Sequence, residues 1–521
     1  MRLFAFLWLA FASAPALAAT DAGAGKTIAE LTADMAAGKT TSEAIVEAYL
    51  GRIAAVDDSG PKLNAVLALM PDALAVAKQR DAERKAGKLR GPLHGIPILI
   101  KDNIEAAGPV PTTAGSLALK DNITNRDAGF VARLKAAGAI ILGKTNLSEW
   151  ANIRADSSTS GWSAIGGLTR NPHILNRNTC GSSSGSGAAM AAGLAAGTVG
   201  TETDGSITCP AGINGVVGFK PTVGLVSRAH VVPISHTQDT AGPMTATVRD
   251  AAIMLTAMAG TDAADPATQE ADTRKRDYAA LLSVNSLKGK RIGVMRDRLG
   301  SNADILALFD RALGVMRGAG VEIVDIKDSR TGLEKLGDAE FTVLLYELKA
   351  DMAAYLGSLP DAASPKTLAD LIAFNKANAA AEMRWFGQET FEQALAKGPL
   401  TDAAYKEALA LSQRLAGPEG IDRLLAANKV DLLLGITNGP AWVSDLVNGD
   451  NFGGPGSSQL AAVAGYPHLT VPMGAVQSLP IGMSFIGRKW DDAAVLGAGD
   501  AYEQAAKVKI VPGYLKSFEE R

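Results

Sequence analysis

Apolar residues recur every three to four positions in TIAELTADMAAG. Thr27 and Glu30 form a Ser/Thr-x-x-Glu start signal there and Gly38 a stop, so the pattern predicts a helix. A second such signal, Thr40 with Glu43, opens the predicted helix SEAIVEAYLGRIAAVD. NAVLAL (Asn64–Leu69) then reads as a strand, and Pro71 starts the helix DALAVAKQRDAERKAG. GIPILIKDNI (Gly95–Ile104) is an apolar strand that ends in polar residues, and GFVARLKAAG followed by AIILGKT repeats helix then strand. Such alternation predicts an α/β architecture. From about Asp262 to Lys429 the pattern becomes mostly helical, as in LFDRALGVMRGAG and LGDAEFTVLLYELKADMAAYLG, with few strand candidates such as RIGVM. This stretch reads as a helical elaboration on the sheet. Strand patterns resume at VDLLLGI, HLTVPMG and IGMSFIG, and the helix DDAAVLGAGDAYEQAAK follows.

Composition narrows the class. The 521 residues are 47% hydrophobic and 20% charged, enough for a large core. A formal net charge of −3 offers no basic surplus for nucleic acid. Arg2, the apolar run Leu3–Ala12 and the A-x-A site Ala16–Ala18 read as an export signal, cleaved after Ala18. The expected location is therefore periplasmic or secreted, without stable membrane insertion after cleavage. The two cysteines, Cys180 and Cys209, do not make a disulfide framework. They flank a serine-rich region and could be spatial neighbours; both a disulfide and two free thiols are compatible with that.

Three motifs compete for the chemistry. GAIILGKT (Gly138–Thr145) matches G-x-x-x-x-G-K-[ST], but its middle positions are an apolar strand where a phosphate loop needs free N–H groups. Lys144 reads as a polar residue after that strand. GSSSG (Gly181–Gly185) matches G-x-S-x-G with Ser183 as nucleophile, yet RNPHILNRNT before it is no strand. A triad would need one of the downstream histidines, His230, His236 or His468, each of which also reads as structural. His230 and His236 lack a third metal ligand in the sequence. The third pattern is a constellation: Lys101 at the end of GIPILIK, Ser182 in CGSSSGSGAA, and Ser206 in GTETDGSITCP.

Together with GVVGFKPTVGLVS, DTAGPMTATVRDAA, AAVAGYPHLTVPMG and LPIGMSFIG, this constellation resembles the amidase signature family, from about Thr27 to Lys507. Within that family the chain looks most like secreted bacterial peptide amidases. The resemblance implies one domain over 19–521, with the elaboration at about 262–429, built on a large twisted mixed β-sheet covered by helices. It implies a Ser–cis-Ser–Lys triad: Ser206 as nucleophile, Ser182 as the bridging cis-serine after Gly181, and Lys101 as base. Backbone N–H groups of Thr203, Asp204, Gly205 and Ser206 would form the oxyanion hole. Two positions depart from many members: Asp204 stands where glycine is common, and Thr208 where arginine is common. The second puts in doubt only substrate contacts borrowed from arginine-bearing relatives.

That chemistry suits the residues. A serine hydroxyl needs a base, and lysine, ordinarily titrating near 10.4, becomes one only when burial disfavours its charge. A serine between them can donate to one and accept from the other. The expected reaction is amide hydrolysis through an acyl-serine, on peptide C-terminal amides or related small amides, with no metal, no organic cofactor and no obligate protein partner. Other readings are a fatty-acid-amide or aryl-amide/ester hydrolase of the same family, a glutamyl-tRNA amidotransferase A-type subunit, and a non-enzymatic solute-binding protein.

Overall fold

The computed structural model describes residues 25–360 and 365–520; the predicted export signal, Met1–Ala18, lies outside them. The first helix, Ile28–Ala36, has the capping box expected of Thr27 and Glu30. The next, Ser42–Arg52, is capped by Thr41, whose side chain accepts from Ala44 N–H, and not by Thr40. The reason is tertiary. Asp81, from the helix Ala73–Lys85, accepts the N–H groups of Ser42 and Glu43 at 2.7 and 3.0 Å. The first-turn N–H donors are thereby satisfied by an acceptor from a distant helix.

Thirteen strands follow in chain order among the described residues. They are β1 (Val66–Leu69), β2 (Pro97–Lys101), β3 (Ile140–Thr145), the two-residue pair β4 (Trp162–Ser163) and β5 (Gly167–Leu168), and β6 (Gly197–Glu202). Then come β7 (Val217–Lys220), β8 (Thr240–Thr245), β9 (Arg291–Met295), β10 (Glu322–Ile326), β11 (Leu432–Ile436), β12 (His468–Val476) and β13 (Leu479–Ile486). All but β4 and β5 join one sheet of 11 strands, ordered β1-β3-β2-β6-β8-β7-β12-β13-β11-β9-β10. The sheet is mixed: β3, β2 and β6 run parallel, β6 to β11 pair antiparallel, and β11, β9 and β10 are parallel again. The stretch 262–429 thus supplies the edge strand β10 and its inner neighbour β9 as well as helices. No helix among the described residues is long and apolar enough to cross a membrane.

The middle strands β2, β3, β7, β8 and β13 are buried along their whole length, and so read as continuous apolar or small-residue runs. Helices Val248–Met258, Ala303–Gly318 and Asp492–Ala506 contribute Met254, Leu255, Phe309, Leu313, Leu496 and Tyr502 to the largest apolar cluster. Two short helices, Ser184–Ala191 and Thr208–Asn214, pack against each other and the sheet at its centre. Because β2 and β6 are parallel neighbours, with Ile100 opposite Val199, their carboxyl ends deliver Lys101 and the Thr203–Ser206 turn to one place. Side chains at the carboxyl ends of parallel strands are where α/β sheets gather their chemistry.

Candidate active site

Lys101 closes β2 with no solvent exposure. Its Nζ lies 2.7 Å from Ser182 Oγ, 2.8 Å from Thr201 Oγ1 and 3.4 Å from the Thr201 carbonyl. Asn103 Nδ2 donates to the same Thr201 hydroxyl at 3.0 Å. Burial pushes the Lys101 ammonium down to about 7, against the opposing pull of Asp239 and Glu202. A neutral amine keeps a lone pair, and Ser182 Oγ is within reach of it.

The peptide bond Gly181–Ser182 is cis, as the resemblance implied. A Cβ on Gly181 would stand 2.1 Å from Ser148 Oγ, so no larger residue fits there. The neighbouring serines are individually committed. Ser183 Oγ donates to the Thr201 carbonyl at 3.0 Å and accepts from Thr201 N–H at 3.2 Å. Ser184 Oγ donates to the Cys180 carbonyl at 2.7 Å, and Ser186 Oγ to the Val199 carbonyl at 3.2 Å. The hydroxyl-rich stretch fastens a helix entrance to the end of β6. Ser183 is fully buried in that role, and no histidine accompanies it. His173 binds the Asn214 carbonyl, His468 binds Ser484, and His94 binds the Arg80 carbonyl.

Ser206 is partly exposed, and its carbonyl accepts from Ser183 N–H at 3.2 Å, beside Ser182. Gly205 has φ +79°, a left-handed conformation that glycine adopts freely. Glu202 Oε2 accepts the N–H groups of Ile207 and Thr208 at 2.8 and 3.0 Å, capping the helix Thr208–Asn214 from outside. The N–H groups of Asp204, Gly205 and Ser206 donate to no other described residue. That leaves a short run of backbone donors at the residue that carries the Ser206 hydroxyl and at the two before it. Cys180 and Cys209 form a disulfide, Cα atoms 6.0 Å apart, tying the loop before Ser182 to the helix after Ser206.

A cavity of about 330 Å³ opens at this point, lined by Gly181, Asp204, Gly205, Asn438, Asp450 and Phe452 among others. Its outer wall is the segment Thr437–Gly456. Asp450 pins that wall by accepting from Ser160 N–H at 3.0 Å and Trp442 Nε1 at 3.1 Å. The stretch 262–429 does not line this cavity; its helix Leu336–Gly357 faces a separate one of about 350 Å³ with Asn103, Thr201 and Asp239.

Two sequence readings change. Lys144 lies inside β3, wholly buried. Its Nζ donates to the Ile104 carbonyl at 2.6 Å and Thr112 Oγ1 at 2.7 Å, with Asp102 at 3.5 Å. His236 does find further candidate ligands: Asp351 Oδ2 lies 2.9 Å from Nδ1, and Glu347 Oε1 lies 3.4 Å from Nε2. Both come from the helix Leu336–Gly357, far along the chain. Glu347 already accepts from Tyr405, Ser235 and Thr237, so the trio is an ion-pair clamp in which each group is used. Sequence reasoning also missed Thr201, Asn103 and Asp239. Thr201 sat in plain view in the TETDGS turn; the others depend on long-range packing.

The amidase family model matches residues 44–496. A probable amidase of Arabidopsis thaliana is 38% identical over 488 residues, covering 92% of this chain and 89% of that protein. The A subunit of glutamyl-tRNA(Gln) amidotransferase from Halorhodospira halophila is 34% identical over 492 residues, covering 92% and 97%. The crystal structure of native peptide amidase from Stenotrophomonas maltophilia superposes with a TM-score of 0.91 at 49% identity, covering 95% of this chain and 99% of that one.

Proposed function

Because the chain belongs to the amidase signature family and hydrolyses amide C–N bonds, we propose that it removes the C-terminal amide of peptides through an acyl-Ser206 intermediate. The observation that carries the substrate class is the near-complete structural match, at 49% identity, to a peptide amidase. The observation that carries the mechanism is the buried contact of 2.7 Å between Lys101 Nζ and Ser182 Oγ, beside Ser206.

In this reading neutral Lys101 accepts the Ser182 proton as Ser182 accepts that of Ser206. Ser206 Oγ attacks the amide carbon, and the oxygen that becomes anionic meets the N–H groups of the Thr203–Ser206 turn. Collapse breaks the C–N bond, and the proton returns from Lys101 through Ser182 to the departing ammonia. Water then repeats the sequence on the ester and releases the acid. The protein carries this out as a single chain, with no metal or organic cofactor in any step.

The test is a panel of peptide amides, free peptides, fatty amides and anilides, following release of ammonia or amine. Peptide amides turning over at least about tenfold faster is the expected result; a preference for fatty amides or anilides overturns it. A serine-directed fluorophosphonate should label Ser206, whereas a label mapped to Ser183 replaces the nucleophile, and no label favours a binding protein. The 34% identity to an amidotransferase A subunit supports a second reading, in which the chain works inside a complex. Turnover of small amides by the isolated chain argues against it. The motif in Met1–Ala18 supports export. Periplasmic or secreted material should begin at Ala19, and an intact Met1 on membrane-bound protein would contradict that.

A further inference from the structure

Three exposed apolar side chains, Val443, Val447 and Phe452, fall close together on the wall Thr437–Gly456, at 50, 77 and 55% exposure. Of these, Phe452 lines the catalytic cavity, which also borders Gly181 and Gly205, the residues just before Ser182 and Ser206. The wall is fastened to the body of the protein. Asn178 N–H donates to the Trp442 carbonyl at 2.8 Å, and Ser444 N–H to the Asn176 carbonyl at 3.0 Å. Trp442 Nε1 donates to Asp450 at 3.1 Å. The Phe452 ring stands edge-on to Trp442, with centroids 5.4 Å apart, and is thereby oriented before anything binds. An apolar surface that is placed in advance and left in water gains free energy when an apolar group covers it.

The charge of the cavity narrows what can enter. Its ionisable side chains are two carboxyls, Asp204 and Asp450; among the described residues no lysine, arginine or histidine lines it. Thr208, also in the lining, gives its hydroxyl to Glu202 Oε2 at 3.3 Å. A carboxylate brought in would lose water and meet no cation, whereas an uncharged side chain carries no such penalty. We infer that Phe452 is a specificity-determining residue: the side chain of the substrate residue that bears the amide rests against it. Apolar side chains, above all aromatic ones, are preferred, and carboxylate side chains are rejected. The inference rests on the reading of the chain as a peptide amidase and names which peptide amides it takes.

The experiment compares acetyl-dipeptide amides that differ only in the residue bearing the amide: phenylalanine, methionine, glycine and glutamate. Each is read as its kcat/KM relative to the glycine amide. On the wild-type chain phenylalanine should stand about tenfold above glycine, with methionine between them. Glutamate, close to methionine in length, should fall about tenfold below glycine. Phe452→Ala should bring the phenylalanine ratio down to about threefold or less. Phe452→Arg, which sets a cation at the cavity, should lower that ratio as well and raise the glutamate ratio about tenfold. A wall that is merely loosened lowers all four amides together; unchanged ratios in either variant therefore overturn the assignment. So does a wild type that takes phenylalanine no faster than glycine, or glutamate as fast as glycine. Phe452 is more than half exposed, and thermal unfolding checks both variants; should one fold poorly, the other and the wild-type ratios carry the test. The proposed function fails separately, if the chain prefers fatty amides or anilides to every peptide amide.

Discussion

Lys101 and Lys144 belong to neighbouring parallel strands, and both side chains are wholly buried. Ile100 stands opposite Lys144, so the two lie one residue apart in register. They differ in company. Lys144 has the Asp102 carboxylate at 3.5 Å. Lys101 has two hydroxyls and a carbonyl, and its nearest opposing charges, Asp239 and Glu202, act from beyond hydrogen-bond reach. Burial lowers both ammonium groups, and for Lys144 the Asp102 charge pulls back in direct contact. The same desolvation therefore gives a strut where a carboxylate touches the amine and a candidate base where only hydroxyls do.

That contrast breaks most sharply at Lys101. Guanidinium does not give up its proton in proteins, so Lys101→Arg should lose turnover almost as fully as Lys101→Ala, by about a thousandfold or more. Circular dichroism checks that both remain folded. An Arg variant retaining more than about a tenth of wild-type turnover, a barrier change of only about 1.4 kcal/mol, would make Lys101 an electrostatic group and not a base. The next effect is on stability. Lys144→Met leaves Asp102 buried without its cation, at a cost of about 3–5 kcal/mol in denaturant unfolding. Adding Asp102→Asn should recover part of it, because no charge is then stranded. A catalytic loss in Lys144→Met as deep as that of Lys101→Arg would erase the distinction between the two lysines. The smallest effect is at Thr201. Thr201→Val removes a hydroxyl that accepts from Lys101 and Asn103. The charged amine loses more than the neutral one, so the ascending limb of the pH–rate profile should move below its position near 7. A shift of about half to one pH unit is expected, with kcat down about tenfold or less. A limb moving upward would show that Thr201 favours the neutral amine.

How far the chain could be read without coordinates follows the range of the interactions. Strands were legible where burial on both faces leaves an unbroken apolar run, as in PILIK and LLLGI. The joint placement of Lys101, Ser182 and Ser206 was legible because each follows or precedes a regular element at fixed spacing. The cap at Thr41 was not, since Asp81 reaches in from another helix. Lys144 looked like a polar strand end because its partner Asp102 comes from the turn that follows the neighbouring strand β2. The pairing of Cys180 with Cys209 stayed open for the same reason: proximity depends on how two helices pack, which no local pattern encodes.

The Cys180–Cys209 bond closes a covalent ring of chain. Ser182 and Ser206 both lie inside it, and Lys101 lies outside. In terms of local opening, the two serines form one cooperative unit whose mutual distance a bond limits, while the lysine is held to them only by packing and sheet hydrogen bonds. A fluctuation that parts β2 from β6 withdraws the amine and leaves the hydroxyl pair at its spacing. One that parts the hydroxyls must work against the ring. Two-thirds of the constellation is thereby a single tethered body, and its exchange between competent and incompetent forms is decided on the side of the lysine.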